Sequence, residues 1–299
     1  MTALGFICPN YELLGLNQHL LIAVNVLGLN FCLGLGGQVS LAQGAFCGMG
    51  AYISALAHGL WPQGSLVILP VTALVVYLLA AQISRPLETL GEGFLAMATL
   101  GVGLIFTSLI LTMEGITGGG EGMVVSAPLT LPGGVTLGGD RVYYFLFLGL
   151  ILLGCHVFTA LSQARPGRAL MACREDPLAA ASCGISRPAV RAMAFGLGAA
   201  LSALAGALYA HYSGFISPRQ FDLELSLKTL LFLVIGGPGR LFSPLVAVLV
   251  LETILGKAHF LGEARVLFHG LLLAVALLGK PWIERATRAV LAGRGRRAT

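Results

Sequence analysis

Residues 13–84 read LLGLNQHLLIAVNVLGLNFCLGLGGQVSLAQGAFCGMGAYISALAHGLWPQGSLVILPVTALVVYLLAAQIS, and these 72 positions between Glu12 and Arg85 contain no Asp, Glu, Lys or Arg. A helix that crosses the hydrocarbon core of a bilayer needs about 20 apolar residues, so the run holds three spans joined by short turns. The remainder of the chain has the same character. Of 299 residues, 57% are hydrophobic and 10% charged, with a mean hydropathy of +0.88. An ordinary soluble domain carries about 25% charged residues. A soluble fold of this length could not hide so much apolar surface behind so few charges. A soluble enzyme, a nucleic-acid-binding domain and a disordered chain are therefore excluded. The fold class is all-α, a polytopic helical membrane protein.

Charge-poor runs predict helices at 17–34, 44–60, 66–83, 93–113, 142–162, 192–212, 223–237, 241–256 and 265–279. This gives about 8–10 transmembrane helices, several interrupted by glycine, in a single domain over residues 1–299. The run 223–237 is short for a crossing at about 1.5 Å per residue and reads as a broken or re-entrant segment. Lys228 lies near its start, and Glu252 sits inside the following run, LVAVLVLETILG. An intramembrane carboxylate is a candidate functional group, although an ion pair with Lys257 at the membrane surface would also account for it.

The net charge of +5 is distributed as membrane topology, not as a patch for nucleic acid. Placing 163–191 in the cytoplasm puts thirteen basic residues inside and five outside (Arg141, Arg219, Lys228, Lys257, Arg265). By the positive-inside rule the N-terminus is then outside, and the basic tail 280–299 is cytoplasmic. The outer loop 114–141, EGITGGGEGMVVSAPLTLPGGVTLGGDR, is rich in Gly and Pro. The inner stretch 163–191, QARPGRALMACREDPLAAASCGISRPAVR, predicts short helices with a break at Arg174–Asp176 and a new helix from Pro177. Glu175 and Asp176 would stand beside its positive dipole end. Small residues recur at helical spacing at Gly44, Gly48, Ala51 and Ala55, and again at Ala199, Ser202, Ala203, Gly206 and Ala207. Such faces let helices approach closely in lipid.

Chemical motifs are absent from the sequence. It has no phosphate-binding loop, no G-x-S-x-G elbow and no H-E-x-x-H pair. The six histidines are scattered and the six cysteines, mostly within apolar runs, show no C-x-x-C pairing. Catalysis, metal binding and a bound cofactor have no candidate residues, and the chain cannot hydrolyse ATP by itself. The N-terminus lacks the basic start of a cleaved signal peptide, so the first span reads as an uncleaved insertion signal.

The segment GLNFCLGLGGQVSLAQGAFCGMGAYIS at 28–54 resembles the signature near the N-terminus of permease subunits of branched-chain amino acid ABC importers. Five more blocks follow in the family's order: ATLGVGLIF (98–106), ITGGGEGM (116–123), GRALMACREDPLAAASCGIS (167–186), AGALYAHYSGFISP (205–218) and LSLKTLLFLVIGGPGRLFSPLVA (225–247). The resemblance implies a permease of a bacterial inner membrane that pairs with a second, homologous permease subunit. It further implies two cytoplasmic ATP-binding subunits that drive the pair and a periplasmic substrate-binding protein that delivers the solute. The family's ATPase-docking pattern E-A-A-x-x-x-G falls on Leu178, Ala179, Ala180 and Gly184, with Leu at the position that is often Glu. Ala179 and Ala180 are expected to be exposed, with Arg174, Glu175 and Asp176 making polar contacts at the rim. The chain departs from the family at its start, where relatives usually carry a further hydrophobic span.

Breaks near the midplane are expected at GGQVSLAQG (36–44) and VIGGPGR (234–240), where glycines interrupt apolar runs. Gln38, Ser40 and Gln43, with Gly236 and Gly237, are candidate translocation-path residues. The three polar side chains could serve a zwitterionic solute or bond helix to helix. Within the transport class, urea, short amides and other amino acids are alternative solutes. An integral-membrane lipid-modifying enzyme is a reading from another class, but it needs an acid–base or metal cluster that the sequence does not offer.

Overall fold

The computed structural model describes residues 10–61, 65–87, 92–125, 129–130 and 136–257. The run expected at 265–279 and the tail 280–299 lie outside the described residues. The principal helices are α1 (Asn10–Leu29), α2 (Gln43–Leu60), α3 (Ser65–Leu87), α4 (Glu92–Thr112), α5 (Asp140–Gln163), α6 (Arg165–Glu175), α7 (Pro177–Ser182), α8 (Arg187–Ser213), α9 (Leu223–Gly236) and α10 (Phe242–Lys257). Strands β1 (Met123–Val124), β2 (Leu129–Thr130), β3 (Thr136–Leu137) and β4 (Phe215–Ile216) are two residues each. Among the described residues, five helices are long and apolar enough to cross a membrane alone, one of them Leu13–Leu35, which continues α1 through the π-helix Asn30–Leu35. In lipid only internally hydrogen-bonded helices or closed barrels can span, and helices are what the charge-poor runs build.

Two contacts fix the ends of the bundle. At one end, Asn17 Nδ2 of α1 donates to the Asp140 carbonyl at the start of α5, at 3.0 Å. β1 and β4 pair antiparallel there, Met123 opposite Ile216 and Val124 opposite Phe215. This pairing fastens the glycine-rich 114–141 connection onto the C-terminal end of α8, and the Val125 amide donates to the Gly214 carbonyl at 2.9 Å. At the other end lie α6, α7 and the end of the π-helix, where Arg174 Nη1 donates to the Gly34 carbonyl.

Helix α8 is the spine. α1 crosses it where Gly28 meets Gly198, and a β-carbon at Gly28 would lie 2.7 Å from the Gly198 carbonyl oxygen. α2 lies along it where a side chain at Gly206 would overlap the Cys47 carbonyl. Gly206 belongs to the small-residue face read on α8, while Gly44 and Gly48 of the face read on α2 pack against Phe221 and its neighbours. Close approach of this kind replaces the hydrophobic drive that lipid does not supply. Edge-to-face rings add to the packing: Phe46 and Phe195 lie on the α2–α8 seam with centroids 5.5 Å apart, and Phe31 and Phe158 join the π-helix to α5 with centroids 5.2 Å apart.

Two crossings are broken in the same manner. Ser202 Oγ, midway along α8, donates to Gln43 Oε1 at 2.6 Å, and Ser54 lies 3.0 Å from His211 near the end of α8. α2 therefore runs parallel to α8 but starts only beside its middle. Residues 36–42 bridge the gap. Gly34 packs beside Gly239, just past the end of α9, while the Gly44 amide donates to Ser226 Oγ at its start, 2.9 Å away. α9 has 14 residues, a rise of about 21 Å at 1.5 Å each. Gly34 lies by the end of α9 and Gly44 by its start, so the chain between them climbs back into the bundle before α2 begins. The second break reverses this direction. After α8 the chain leaves at Gly214, forms β4 and the 3-10 turn Pro218–Phe221, and re-enters to start α9 at depth. The expectation that 223–237 is a broken segment holds. The short turn expected between the first two spans is corrected, because 36–42 is itself a re-entrant part of the crossing, at the place where the glycines of GGQVSLAQG (36–44) predicted a break.

Candidate functional site

The two half-helices α2 and α9 meet at their N-terminal ends. Asp222 caps α9, its Oδ1 accepting the Glu224 amide at 2.8 Å, and the Glu224 carboxylate pairs with Lys228 at 2.6 Å. Non-helical backbone at this depth needs partners from the protein, and side chains supply them. The Leu41 amide donates to Thr99 Oγ1 of α4 at 3.0 Å, and the Ala42 amide to Ser40 Oγ at 3.3 Å. Beside the junction is a cavity of about 180 Å³, lined by Leu41, Ala45, Thr107, Phe221, Asp222 and Ser226 among others. Converging half-helix ends at a cavity are where transporters hold polar solutes, because the positive dipole ends favour an anionic group.

Gln38, Ser40 and Gln43 are all buried. Ser40 accepts the Ala42 amide within the re-entrant turn, a local role, and Gln43 accepts from Ser202, so for Gln43 the structure displays the helix-to-helix role. Gly236 packs against Pro244, and Gly237 closes α9 with φ +90°. The side chains that face the cavity, Thr107, Asp222 and Ser226, were not singled out from the sequence. Thr107 is on α4, whereas Asp222 and Ser226 stand four residues apart at the start of α9, so the pocket joins two segments distant in sequence.

The 163–191 connection folds as read. α6 ends at Glu175 and α7 starts at Pro177, with Asp176 Oδ1 accepting the Leu178 amide at 2.9 Å and the Ala179 amide at 3.0 Å. This is an N-cap followed by proline at the first helical position, both favoured on steric and hydrogen-bonding grounds. Leu178 is 82% exposed, Ala179, Glu175 and Gly184 are exposed, and Ala180 is 5% exposed. The expectation that Ala179 and Ala180 are both bare is corrected for Ala180, because α7 is a single turn lying against the bundle with Ala180 on its inner side. Arg174 is exposed and makes a further contact. Its guanidinium reaches inward to Gly34.

The fold also joins groups that are distant in sequence. His58 of α2 and His211 of α8 stack edge to face, centroids 4.9 Å apart. Glu252 has one buried carboxylate oxygen with no hydrogen-bond partner. Among the described residues no three His, Cys, Asp or Glu side chains are grouped as metal ligands.

A multi-pass helical bundle with two crossings broken at depth around a cavity is the architecture of a membrane permease. The chain belongs to the branched-chain amino acid transport system / permease component family, whose pattern matches residues 13–278. It is 32% identical over 277 residues to the high-affinity branched-chain amino acid transport system permease protein LivM of Salmonella typhimurium, covering 85% of this chain and 65% of the relative. It is 24% identical over 306 residues to the corresponding permease protein BraD of Pseudomonas aeruginosa, covering 91% and 95%. It is also 30% identical over 153 residues to permease protein LivH of Escherichia coli, covering 48% of each chain. The chain thus spans about two thirds of the length of the LivM relatives it matches. No solved structure is detectably similar to it.

Proposed function

We propose that this chain is a transmembrane permease subunit of an ABC importer that carries branched-chain amino acids into the bacterial cytoplasm. Family membership over residues 13–278 is the observation that carries this reading. The similarity to both LivM and LivH supports pairing with a second, homologous permease. Two cytoplasmic ATP-binding subunits would dock at α6–α7 and supply the energy, and a periplasmic binding protein would deliver solute at the β1–β4 end. The exposed Leu178 side chain on a short, capped helix supports the docking assignment, since it offers an apolar contact to a partner at the end of the bundle that carries the 163–191 connection. Solute would pass beside the cavity where α2 and α9 meet, and the breaks at 36–42 and 236–241 would let these half-helices move.

Uptake of radiolabelled leucine tests the reading. Deletion of the gene should abolish ATP-dependent uptake and the wild-type chain should restore it. Excess isoleucine or valine should compete, whereas urea and acetamide should not. Competition by urea or acetamide without competition by isoleucine or valine would move the substrate to the amide class. Reconstituted alone, the chain should neither hydrolyse ATP nor accumulate leucine.

A further inference from the structure

An arginine shortly before the exposed docking turn is tied to the first break in the bundle and lies beside residues 237–241, where α9 gives way to α10, the second break at this end. Arg174 stands in the last turn of α6, and its Nη1 donates to the Gly34 carbonyl in the final turn of the π-helix. Carbonyls there run out of intrahelical donors, so the guanidinium answers a group the helix leaves open. The stem of Arg174 lies flat on Gly37, where the chain turns from helix to re-entrant segment with φ +69°. A β-carbon at Gly37 would come within 2.9 Å of Arg174 Cγ. The same guanidinium borders the second break, 3.9 Å from the β-carbon position of Gly239.

The two breaks are clamped to each other at this point. Asn30 Nδ2 donates to the Arg240 carbonyl at 2.7 Å, and its Oδ1 accepts the Gly239 amide at 2.8 Å. Leu170, one turn back on α6 and fully buried, lies 3.6 Å from the β-carbon position of Gly36. One face of α6 therefore rests on the inner ends of both broken crossings. Asp176 rigidly joins α6 to α7, which carries Leu178. π-helical turns are metastable and concentrate at functional sites, and glycines with positive φ absorb backbone rotation without steric cost.

We propose that Arg174 is the positioning residue that conveys movement of the docking helices to the inner ends of the two broken crossings, so that solute passage follows ATP turnover. This rests on the importer reading above and changes the role of Arg174 from a docking contact to a transmission contact. A docking contact fails by losing the ATPase. A transmission contact fails with the ATPase still bound.

The test uses the importer assembled from this full-length permease and its partner subunits, with labelled leucine as the probe. In Arg174→Ala the ATP-binding subunits should co-purify at the wild-type ratio, and basal ATP hydrolysis should persist. Leucine uptake should fall at least tenfold, and stimulation of hydrolysis by the loaded binding protein should be lost. Arg174→Lys keeps one donor and the aliphatic stem and should recover part of the uptake. Asn30→Ala, which removes the clamp between the breaks, should reproduce the uncoupled behaviour. Unchanged uptake in Arg174→Ala overturns the proposal. So does loss of the ATP-binding subunits in both Arg174 variants, which would assign Arg174 to docking. If the wild-type assembly shows no ATP-driven leucine uptake, it is the importer reading that fails, and the wild-type control separates the two failures.

Discussion

Leu178 and Ala180 are two positions apart on one helical turn, yet one side chain meets solvent and the other meets the bundle. Substitutions at the two should therefore fail differently. Leu178→Asp leaves the fold untouched and removes the apolar knob. Hot-spot side chains of this kind are worth about 2 kcal/mol or more at an interface. Normal membrane abundance with at least tenfold weaker recovery of the ATP-binding subunits is the expected result on co-purification. Ala180→Arg instead forces a charge into a packed seam, and an unpaired buried charge costs several kcal/mol. The level of inserted permease should itself drop, as seen by immunoblot of the membrane fraction. Equal effects of both changes on docking alone would mean that α7 does not sit as described. A smaller effect is expected at Ser202→Ala, which removes the donor to Gln43 Oε1. Hydrogen bonds between membrane helices average about 0.6 kcal/mol, so uptake should persist with a slightly lower melting temperature. Had Gln43 served mainly as a solute ligand, Gln43→Ala would abolish uptake without moving the melting temperature.

At the scale of helices, the seam of α8 with α2 is the most demanding contact, because at Gly206 no side chain can be added without moving the Cys47 backbone. Overpacking a tight core costs typically 1–3 kcal/mol, and more is expected where the obstacle is backbone. Gly206→Leu should lower the apparent melting temperature in detergent by several degrees. Gly149→Leu on α5, where nothing lies within 4 Å, should leave it unchanged and serves as the control. Much of this element-level organisation was legible in the sequence. The helices follow the charge-poor runs, the small-residue faces do pack, and the Asp-Pro break marks the start of α7, because each rests on local chemistry. The break at 36–44 was expected from its glycines, and 213–222 separates two predicted helices; what could not be read was the direction each takes through the bundle. Residues 36–42 carry no charge and are as apolar as the helix they replace, so hydropathy does not give their path, and the bond that holds Leu41 comes from Thr99 on a remote segment. The inward side of α7 was hidden for the same reason. Which face of one helical turn is covered depends on what it lies against. The cavity gathers residues from four segments and has no local signature at all.

For the whole molecule, the orientation in the membrane can be tested with a side chain the protein already has. The bundle has two distinct ends, one with the β1–β4 pairing and one with α6 and α7. Thirteen basic residues against five favour the α6–α7 end as cytoplasmic, which is also the side on which the proposed ATP-binding subunits would act. Cys183 closes α7 and is exposed, whereas Cys32, Cys47 and Cys173 are buried. A thiol must be reachable and ionisable to react, so a membrane-impermeant maleimide has Cys183 as its accessible target at that end. In a Cys8→Ser background, inside-out vesicles should be labelled and right-side-out spheroplasts should not. Adding Cys183→Ser should remove most of the signal from the vesicles. The ATP-binding subunits provide a second comparison, because their docking over α7 should protect Cys183 from the reagent. Labelling of intact spheroplasts that disappears with Cys183→Ser would invert the topology, and with it the placement of every partner. Labelling from the cytoplasmic side that bound ATP-binding subunits do not slow would keep the topology but move their docking surface away from α7.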